Sequence, residues 1–307
     1  MEKKDNFYVG RFAPSPTGPL HFGSIIAALG SYLEALANQG RWLVRIDDLD
    51  PPREQAGAVD DILETLSGFG FEWHGEVFYQ SNRSAAYEDA LAELSNNDLT
   101  YICLCSRKTV FEAGLSGPYG TMYPGTCREL NLPSRKRSSI RIRVPDKDIS
   151  LDDKIQGLYS QNLAQEIGDF VLKRRDGLYS YHLAVALDDA EQGITHIVRG
   201  IDLLESTPRQ IFLQQQLKLP TPEYTHLPIA VDGNGDKLSK QTYAAPVDVD
   251  HATTILFLAL QFLGQQPPAE LKRETLDTIW QWAKQHWNMQ NIPKQKEITV
   301  DDNYVTS

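Results

Sequence analysis

FYVGRFAPSPTGPLHFGSIIAALGSYLEALANQGRWLVRI, residues 7–46, decides the fold class. Phe7–Phe12 is a short apolar strand. Pro14, Pro16, Gly18 and Pro19 then impose an irregular loop, because proline fixes φ and glycine opens it. From Phe22 to Ala37, small and apolar residues run with no breaker except Gly30, which predicts a helix with Gly40 as its C-cap. Trp42–Ile46 is a second strand and leads into Asp47, Asp48 and Asp50. Strand, loop, helix, strand is a βαβ unit, so the strands are parallel and the chain is α/β.

Two further amphipathic helices follow at Val59–Leu66 and Ala85–Leu94. Near Tyr101 the composition shifts: residues 103–145 hold all three cysteines, a Gly/Pro/Tyr-rich stretch and the basic run Arg135-Lys136-Arg137, the marks of an insertion. Ile140–Val144 reads as a half-buried strand. Asp169–Asp189 reads as a hairpin turning at Asp176-Gly177, with Tyr179–Leu187 as its second arm. Strands at Ile194–Val198 and Leu227–Val231 flank a helix around Pro208–Gln216. Helices near Ala252–Leu263 and Leu276–Trp287 precede a polar stretch from Ile292 that is expected to fray.

The chain of 307 residues has net charge −11 and ordinary globular composition. That length suggests about two domains. Nonspecific coating of nucleic acid would need a basic protein, so any nucleic-acid contact must use a local basic face. The longest apolar stretch falls short of the ~18–20 residues that cross a bilayer, and the charged start is not a signal peptide. An odd cysteine count argues against a disulfide framework and for a reducing, cytoplasmic setting.

Chemistry is concentrated in two loops. Arg11–Ser24 joins a strand to a helix start, whose free N–H groups and dipole suit a phosphate, with His21 as a donor and Gly23 allowing close approach. It lacks the glycine pattern of a dinucleotide fold and the GK[ST] of a P-loop. Asp232–Lys240, DGNGDKLSK, begins like a calcium loop, but Lys237 stands where glycine is needed and Tyr243 where glutamate is. What remains is a glycine-rich loop with two lysines suited to phosphoryl oxygens. Taken singly, each loop reads better as an ordinary connection.

Together, PSPTGPLHFG and KLSK about two hundred residues later resemble the paired signature motifs of class I aminoacyl-tRNA synthetases. Arg45–Asp50, Arg174–Gly177, Tyr181–Ala184, Asp188-Asp189 and Val198–Asp202 resemble the glutamyl/glutaminyl branch, over residues ~7–245. HFGS, KLSKQ, the C-x-C element and only ~60 residues after KLSK resemble the glutamyl-Q tRNA(Asp) synthetases, which lack an anticodon-binding domain. The resemblance implies a Rossmann-like catalytic domain in two halves, 1–100 and 193–245. A zinc-bearing insertion spans 101–192, and a short helical region spans 246–307. It implies ATP-dependent activation of L-glutamate, with Mg²⁺ accompanying ATP, and transfer to queuosine in the anticodon loop of tRNA(Asp), with no membrane and no stable protein partner. A glutamyl-tRNA synthetase core charging a tRNA 3′ end and a non-catalytic RNA-binding relative stay open as alternatives.

By the resemblance, His21 and Lys240 are catalytic, and His21, Gly23, Ser24, Lys237 and Lys240 bind ATP. Ser24 stands where the family's second histidine is found. Arg11, Phe12, Ala13, Pro14, Ser15, Asp47, Tyr181 and Arg199 bind glutamate, with Arg11 clamping the side-chain carboxylate and Asp47 holding the α-amino group. Relatives usually carry glutamate at position 47, so the shorter Asp47 must sit closer or reach through water. Cys103, Cys105 and Cys127 suit either buried thiols or part of a zinc site, and no histidine lies between residues 75 and 181. The resemblance implies one structural zinc with Tyr123, or water, as fourth ligand. Arg135-Lys136-Arg137, Arg141, Arg143 and Lys173-Arg174-Arg175 are the candidates for tRNA phosphate contacts.

Overall fold

Val9 lies opposite Arg41 and Phe12 opposite Val44, in parallel. The βαβ unit is therefore real: β1 (Val9–Phe12), α1 (Phe22–Ala37) and β2 (Arg41–Ile46). The computed structural model describes residues 7–233, 235, 237 and 246–300. Helix α2 (Ala58–Gly68) returns the chain to β3 (Phe78–Tyr79), which extends the sheet in parallel beyond β2. Helix α3 (Ser84–Asn96) leads into the insertion.

The insertion holds β4 (Thr100–Cys103), α4 (Arg107–Ala113), β5 (Leu115–Gly117), β6 (Gly120–Met122), β7 (Ser139–Ile142), β8 (Asp148–Asp153), β9 (Gly157–Asn162), α5 (Leu163–Glu166) and β10 (Val171–Lys173). β4, β7 and β10 form an antiparallel sheet with β7 in the middle. β8 and β9 form a hairpin that no turn signal in the sequence announced.

The chain re-enters the central layer through α6 (Tyr181–Glu191), β11 (His196–Gly200), α7 (Thr207–Gln216), β12 (Glu223–Leu227) and β13 (Ile229–Val231). β11 and β12 are parallel. Thr195 stitches β11 to β1: its N–H donates to Val9 O at 3.0 Å, and its Oγ1 accepts from Val9 N at 2.9 Å. The Tyr8 ring stacks on His196 with centroids 4.1 Å apart. Strands from the two halves thus meet at β1 and β11, the switch point where α/β sheets open a crevice. Helices α8 (Ala252–Phe262) and α9 (Leu276–His286) pack on α1, and Trp280 Nε1 donates to Phe69 O at 2.9 Å.

Several expectations need correction. Tyr179–Leu187 is not a strand. The turn at Gly177 forms, but the Ser180 side chain accepts from Leu183 N and starts α6. Gly40 is not a left-handed cap. Gln39 takes the positive φ, and Gly40 is needed because a Cβ there would lie 2.4 Å from Tyr8 O. Leu227–Val231 is two strands divided at Pro228, which has no N–H to continue a ladder. The tail does not simply fray: β14 (Glu297–Thr299) pairs in parallel with β13, and Ile292 and Val300 are buried. Among the described residues, no helix is long and apolar enough to cross a membrane.

Candidate active site

A cavity of about 680 Å³ opens at the carboxyl ends of β1 and β11. Arg11, Phe12, Ala13, Pro14, Ser15, His21, Gly23, Ser24, Tyr181, Arg199 and Lys237 all border it. Residues far apart in sequence are brought together there because β1 and β11 are neighbours. Lys240 lies outside the described residues.

His21 is the N-cap of α1. Its Nδ1 accepts from Ser24 N at 3.2 Å, and its Nε2 lies 3.2 Å from Ser24 Oγ. Burial, with Lys237 as a secondary cause, lowers its pKa to about 4, so the ring is neutral. With Nδ1 accepting, the proton is on Nε2. A Cβ on Gly23 would sit 3.1 Å from His21 Cε1, so the glycine lets the ring lie against the helix start. Lys237 Nζ pairs with Asp202 Oδ2 at 2.7 Å on the opposite wall.

The two guanidinium groups are held from behind by buried partners. Arg11 Nε donates to Asp189 Oδ1 at 3.2 Å, and its terminal nitrogens have no partner among the described residues. Arg45 Nη1 reaches the same Asp189 oxygen at 2.6 Å, and Arg45 Nε reaches Asp47 Oδ1 at 2.7 Å. Burial raises the Asp189 carboxyl, but Arg11 and Arg45 outweigh it and hold the group below the usual carboxylate range. Arg199 donates from Nε to His226 Nε2 at 3.2 Å and from Nη2 to Thr207 Oγ1 at 2.7 Å and Gln210 Oε1 at 2.8 Å. Its buried Nη1 has no partner. His226 in turn holds Asp153 Oδ2 at 2.6 Å.

Asp47 does not border the cavity. It lies behind the wall, its N–H donating to Pro14 O at 2.9 Å and its Oδ1 engaged by Arg45. Burial pushes its pKa up to about 6, against the opposing pull of Arg45. Asp189, Asp153, His226, Thr207 and Gln210 were missed as site residues by sequence reasoning. The available signal was a pair of acids, Asp188-Asp189, within an apolar helix, where a charge needs a partner.

Away from the cavity, the Cys103, Cys105 and Cys127 sulfurs lie within 4.8 Å of one another. Tyr123 Oη is 3.4 Å from Cys103 Sγ and 3.8 Å from Cys105 Sγ, and Cys105 Sγ is 3.6 Å from Cys127 Sγ. Four ligands around zinc at about 2.3 Å are separated by about 3.8 Å, so three sulfurs and a phenol oxygen fit a tetrahedral ion. Burial raises the Cys103 thiol, but hydrogen bonds from Tyr123 and Arg141 bring it down to about 7. Cys105 is pushed up to about 11, first by burial and then by Cys127.

The family description tRNA synthetases class I (E and Q), catalytic domain, matches residues 8–263. A protein of Neisseria meningitidis serogroup C named glutamyl-Q tRNA(Asp) synthetase is 52% identical, across 94% of this chain and 98% of its own length. One of the same name from Photobacterium profundum is 51% identical, across 96% of this chain and 93% of its own. The solved glutamate-tRNA synthetase of Elizabethkingia anophelis shares the fold with a TM-score of 0.78 and 24% identity, over 97% of this chain and 69% of that one. With its switch-point cavity and α/β core, the chain belongs to the class I (E and Q) tRNA synthetase family, among the ligases named glutamyl-Q tRNA(Asp) synthetase.

Proposed function

We propose that the chain activates L-glutamate with ATP and places it on queuosine in the anticodon loop of tRNA(Asp). The observation that carries the reading is the single cavity bordered by a histidine-capped helix start, Lys237, Arg11 and Arg199. The names of relatives about half identical over nearly the whole chain support the substrate pair.

In the first step, a glutamate α-carboxylate oxygen attacks the α-phosphorus of ATP. The bond to the bridging oxygen breaks, giving glutamyl-adenylate and pyrophosphate. The free N–H groups of the α1 start, around Gly23 and Ser24, face the polyphosphate. His21 offers Nε2–H as a neutral donor. Lys237 and Lys240 offset the charge that develops on the leaving pyrophosphate, and Mg²⁺ enters with ATP as part of the substrate. Arg11 pairs with the glutamate side-chain carboxylate. Arg199 Nη1, Tyr181 and the Phe12–Ser15 wall complete the pocket. Asp47, set back from the wall, reaches the α-amino group through water. In the second step, a queuosine hydroxyl oxygen attacks the adenylate carbonyl carbon and AMP leaves. A structural zinc held by Cys103, Cys105, Cys127 and Tyr123 ties the insertion together.

The test is transfer of labelled glutamate to tRNA(Asp) with and without queuosine. The reading expects label only on the queuosine form, and label that survives removal of the tRNA 3′ end. Label on the 3′ end instead would assign the chain to ordinary aminoacylation.

A further inference from the structure

The turn between β8 and β9 reaches out of the insertion to β12. Lys154 N donates to Tyr224 O at 3.2 Å, and Gln156 Nε2 donates to His226 O at 3.0 Å. Ile155 belongs to the buried cluster of Val198, Leu227 and Ala230, whereas its hairpin neighbours Ile149 and Leu151 belong to another. This turn is therefore built into the layer that carries Arg199.

Asp153 begins the turn and is 2% exposed. Its Oδ1 accepts from the backbone N–H groups of Ile155 at 3.0 Å, Gln156 at 2.9 Å and His226 at 3.2 Å. Its Oδ2 meets His226 Nδ1 at 2.6 Å. Burial raises the carboxyl, but His226 and the turn N–H groups bring it below the usual carboxylate range. A carboxylate has no hydrogen to give, so the proton of the ring sits on Nδ1.

The other ring nitrogen faces the glutamate pocket. His226 Nε2 lies 3.2 Å from Arg199 Nε and 3.1 Å from Thr207 Oγ1. Arginine only donates, so Nε2 has to be bare, and a proton there would set two N–H groups against each other. Thr207 Oγ1 and Gln210 Oε1 take Arg199 Nη2 at 2.7 and 2.8 Å. The Nε and Nη2 hydrogens are thereby committed to the protein. Nη1 is left over, on a side chain that borders the cavity. The ring accepts at one end because it donates at the other.

We propose that Asp153 is a positioning residue for glutamate: by keeping the His226 proton on Nδ1, the insertion turn holds Arg199 with Nη1 turned to the amino-acid pocket. This rests on the glutamate reading above and adds to it a residue outside the cavity.

Asp153→Asn, in the full chain, tests the relay with little change of shape. The single oxygen of asparagine stays with the three backbone donors, so its amide nitrogen meets His226 Nδ1. The ring must then accept at Nδ1 and carry its proton on Nε2, opposite Arg199 Nε. Nitrogen NMR of isotope-labelled histidine reads the tautomer, with His226 assigned by the signal lost in His226→Phe. The unaltered protein should show the Nδ1–H tautomer and Asp153→Asn the Nε2–H tautomer. In glutamate-dependent ATP–pyrophosphate exchange, Asp153→Asn should raise the KM for glutamate about tenfold, with the KM for ATP within about twofold and a smaller change in kcat. A purely structural Asp153 would instead lower the active fraction, with both KM values and the tautomer unchanged, and that result would overturn the proposal. Should Asp153→Asn fail to fold, two measurements still decide it. An Nε2–H tautomer or a charged ring in the unaltered protein overturns it. So does an unchanged glutamate KM in His226→Phe, which breaks the same link from the other side. Absence of exchange in the unaltered protein would overturn the glutamate reading instead, and the tautomer comparison would still decide whether Asp153 sets the contact to Arg199.

Discussion

Asp189 holds Arg11 and Arg45 with one oxygen: Oδ1 accepts from Arg11 Nε at 3.2 Å and from Arg45 Nη1 at 2.6 Å. Arg45 is wholly buried and passes the chain on to Asp47 through its Nε. Two cations and two carboxylates are therefore balanced in the interior, where an unpaired charge is costly. The balance has a geometric result. With its Nε fixed, the Arg11 guanidinium has its plane set before any ligand arrives, and its terminal nitrogens are left at the cavity.

Asp189→Asn tests that arrangement. Removing one charge from a buried set costs about 3–5 kcal/mol, read as a lower denaturant midpoint. Because the plane of Arg11 is also released, the KM for glutamate in pyrophosphate exchange should rise about tenfold with a smaller change in kcat, and discrimination against glutamine should fall. A variant that loses stability but keeps both KM and discrimination would show that Asp189 only fills the core.

His226 plays the corresponding part for Arg199. Burial is the first cause that lowers its pKa to about 4, so the ring is neutral. Its Nδ1–H goes to Asp153, and its Nε2 lone pair receives Arg199 Nε. His226→Phe removes that acceptor and strands a buried donor, at a cost of about 1–3 kcal/mol. The pH dependence has a definite sign. A histidine whose folded pKa lies below its ordinary ~6.5 binds more protons when unfolded, so its contribution is present above about 6.5 and is lost as pH falls toward about 4. His21 acts in the same direction. Urea midpoints at several pH values should fall across that window, and less steeply in His226→Phe. Equal slopes in the two proteins would contradict the assignment.

Asp47 and His21 should separate the pH dependence of the two substrates. Asp47 is pushed up to about 6 by burial, so it becomes neutral as pH drops through about 6 in the free protein. If it receives the α-amino group through water, the KM for glutamate rises over that interval, and Asp47→Asn abolishes the rise. His21 stays neutral until about 4, so the KM for ATP should be flat across the same interval. Parallel pH profiles for both substrates would remove Asp47 from glutamate binding.

The part of this organisation that could be read from the chain was the part set by local rules. The proline loop and the unbroken run from Phe22 to Ala37 specified β1, α1 and β2 without reference to distant residues. Tyr181–Leu187 defeated the same reasoning because a short apolar run fits helix or strand equally, and the Ser180 cap decided the outcome. β14 is polar and exists because β13 offers it an edge. Motif resemblance drew attention to Arg11, His21, Lys237 and Arg199, and the fold gathers them at one cavity. Nothing near Asp153 or His226 in sequence announces their roles, and the Asp188-Asp189 pair marks only that a buried charge needs a partner, not which one. Their partners lie up to 178 residues away, and only the packing of β1 against β11 and α6 brings them together.

The cysteine cluster gives the last test. Three of the six pairs among its four donor atoms are 3.4, 3.6 and 3.8 Å apart, near tetrahedral spacing, and all three sulfurs lie within 4.8 Å of one another. Tyr123 is tied down independently of any metal, since its oxygen accepts from Cys127 N at 2.8 Å and Arg141 covers its ring. Thiolates dominate zinc affinity, so the two kinds of ligand should behave differently on removal. Elemental analysis of freshly purified protein should find one zinc per chain. Cys127→Ser should lose it and destabilise the insertion. Tyr123→Phe should retain it while releasing it faster to a chelator, because water takes the fourth position. Metal-free wild-type protein with unchanged thermal stability would mean that the three thiols form a reduced packing cluster and nothing more.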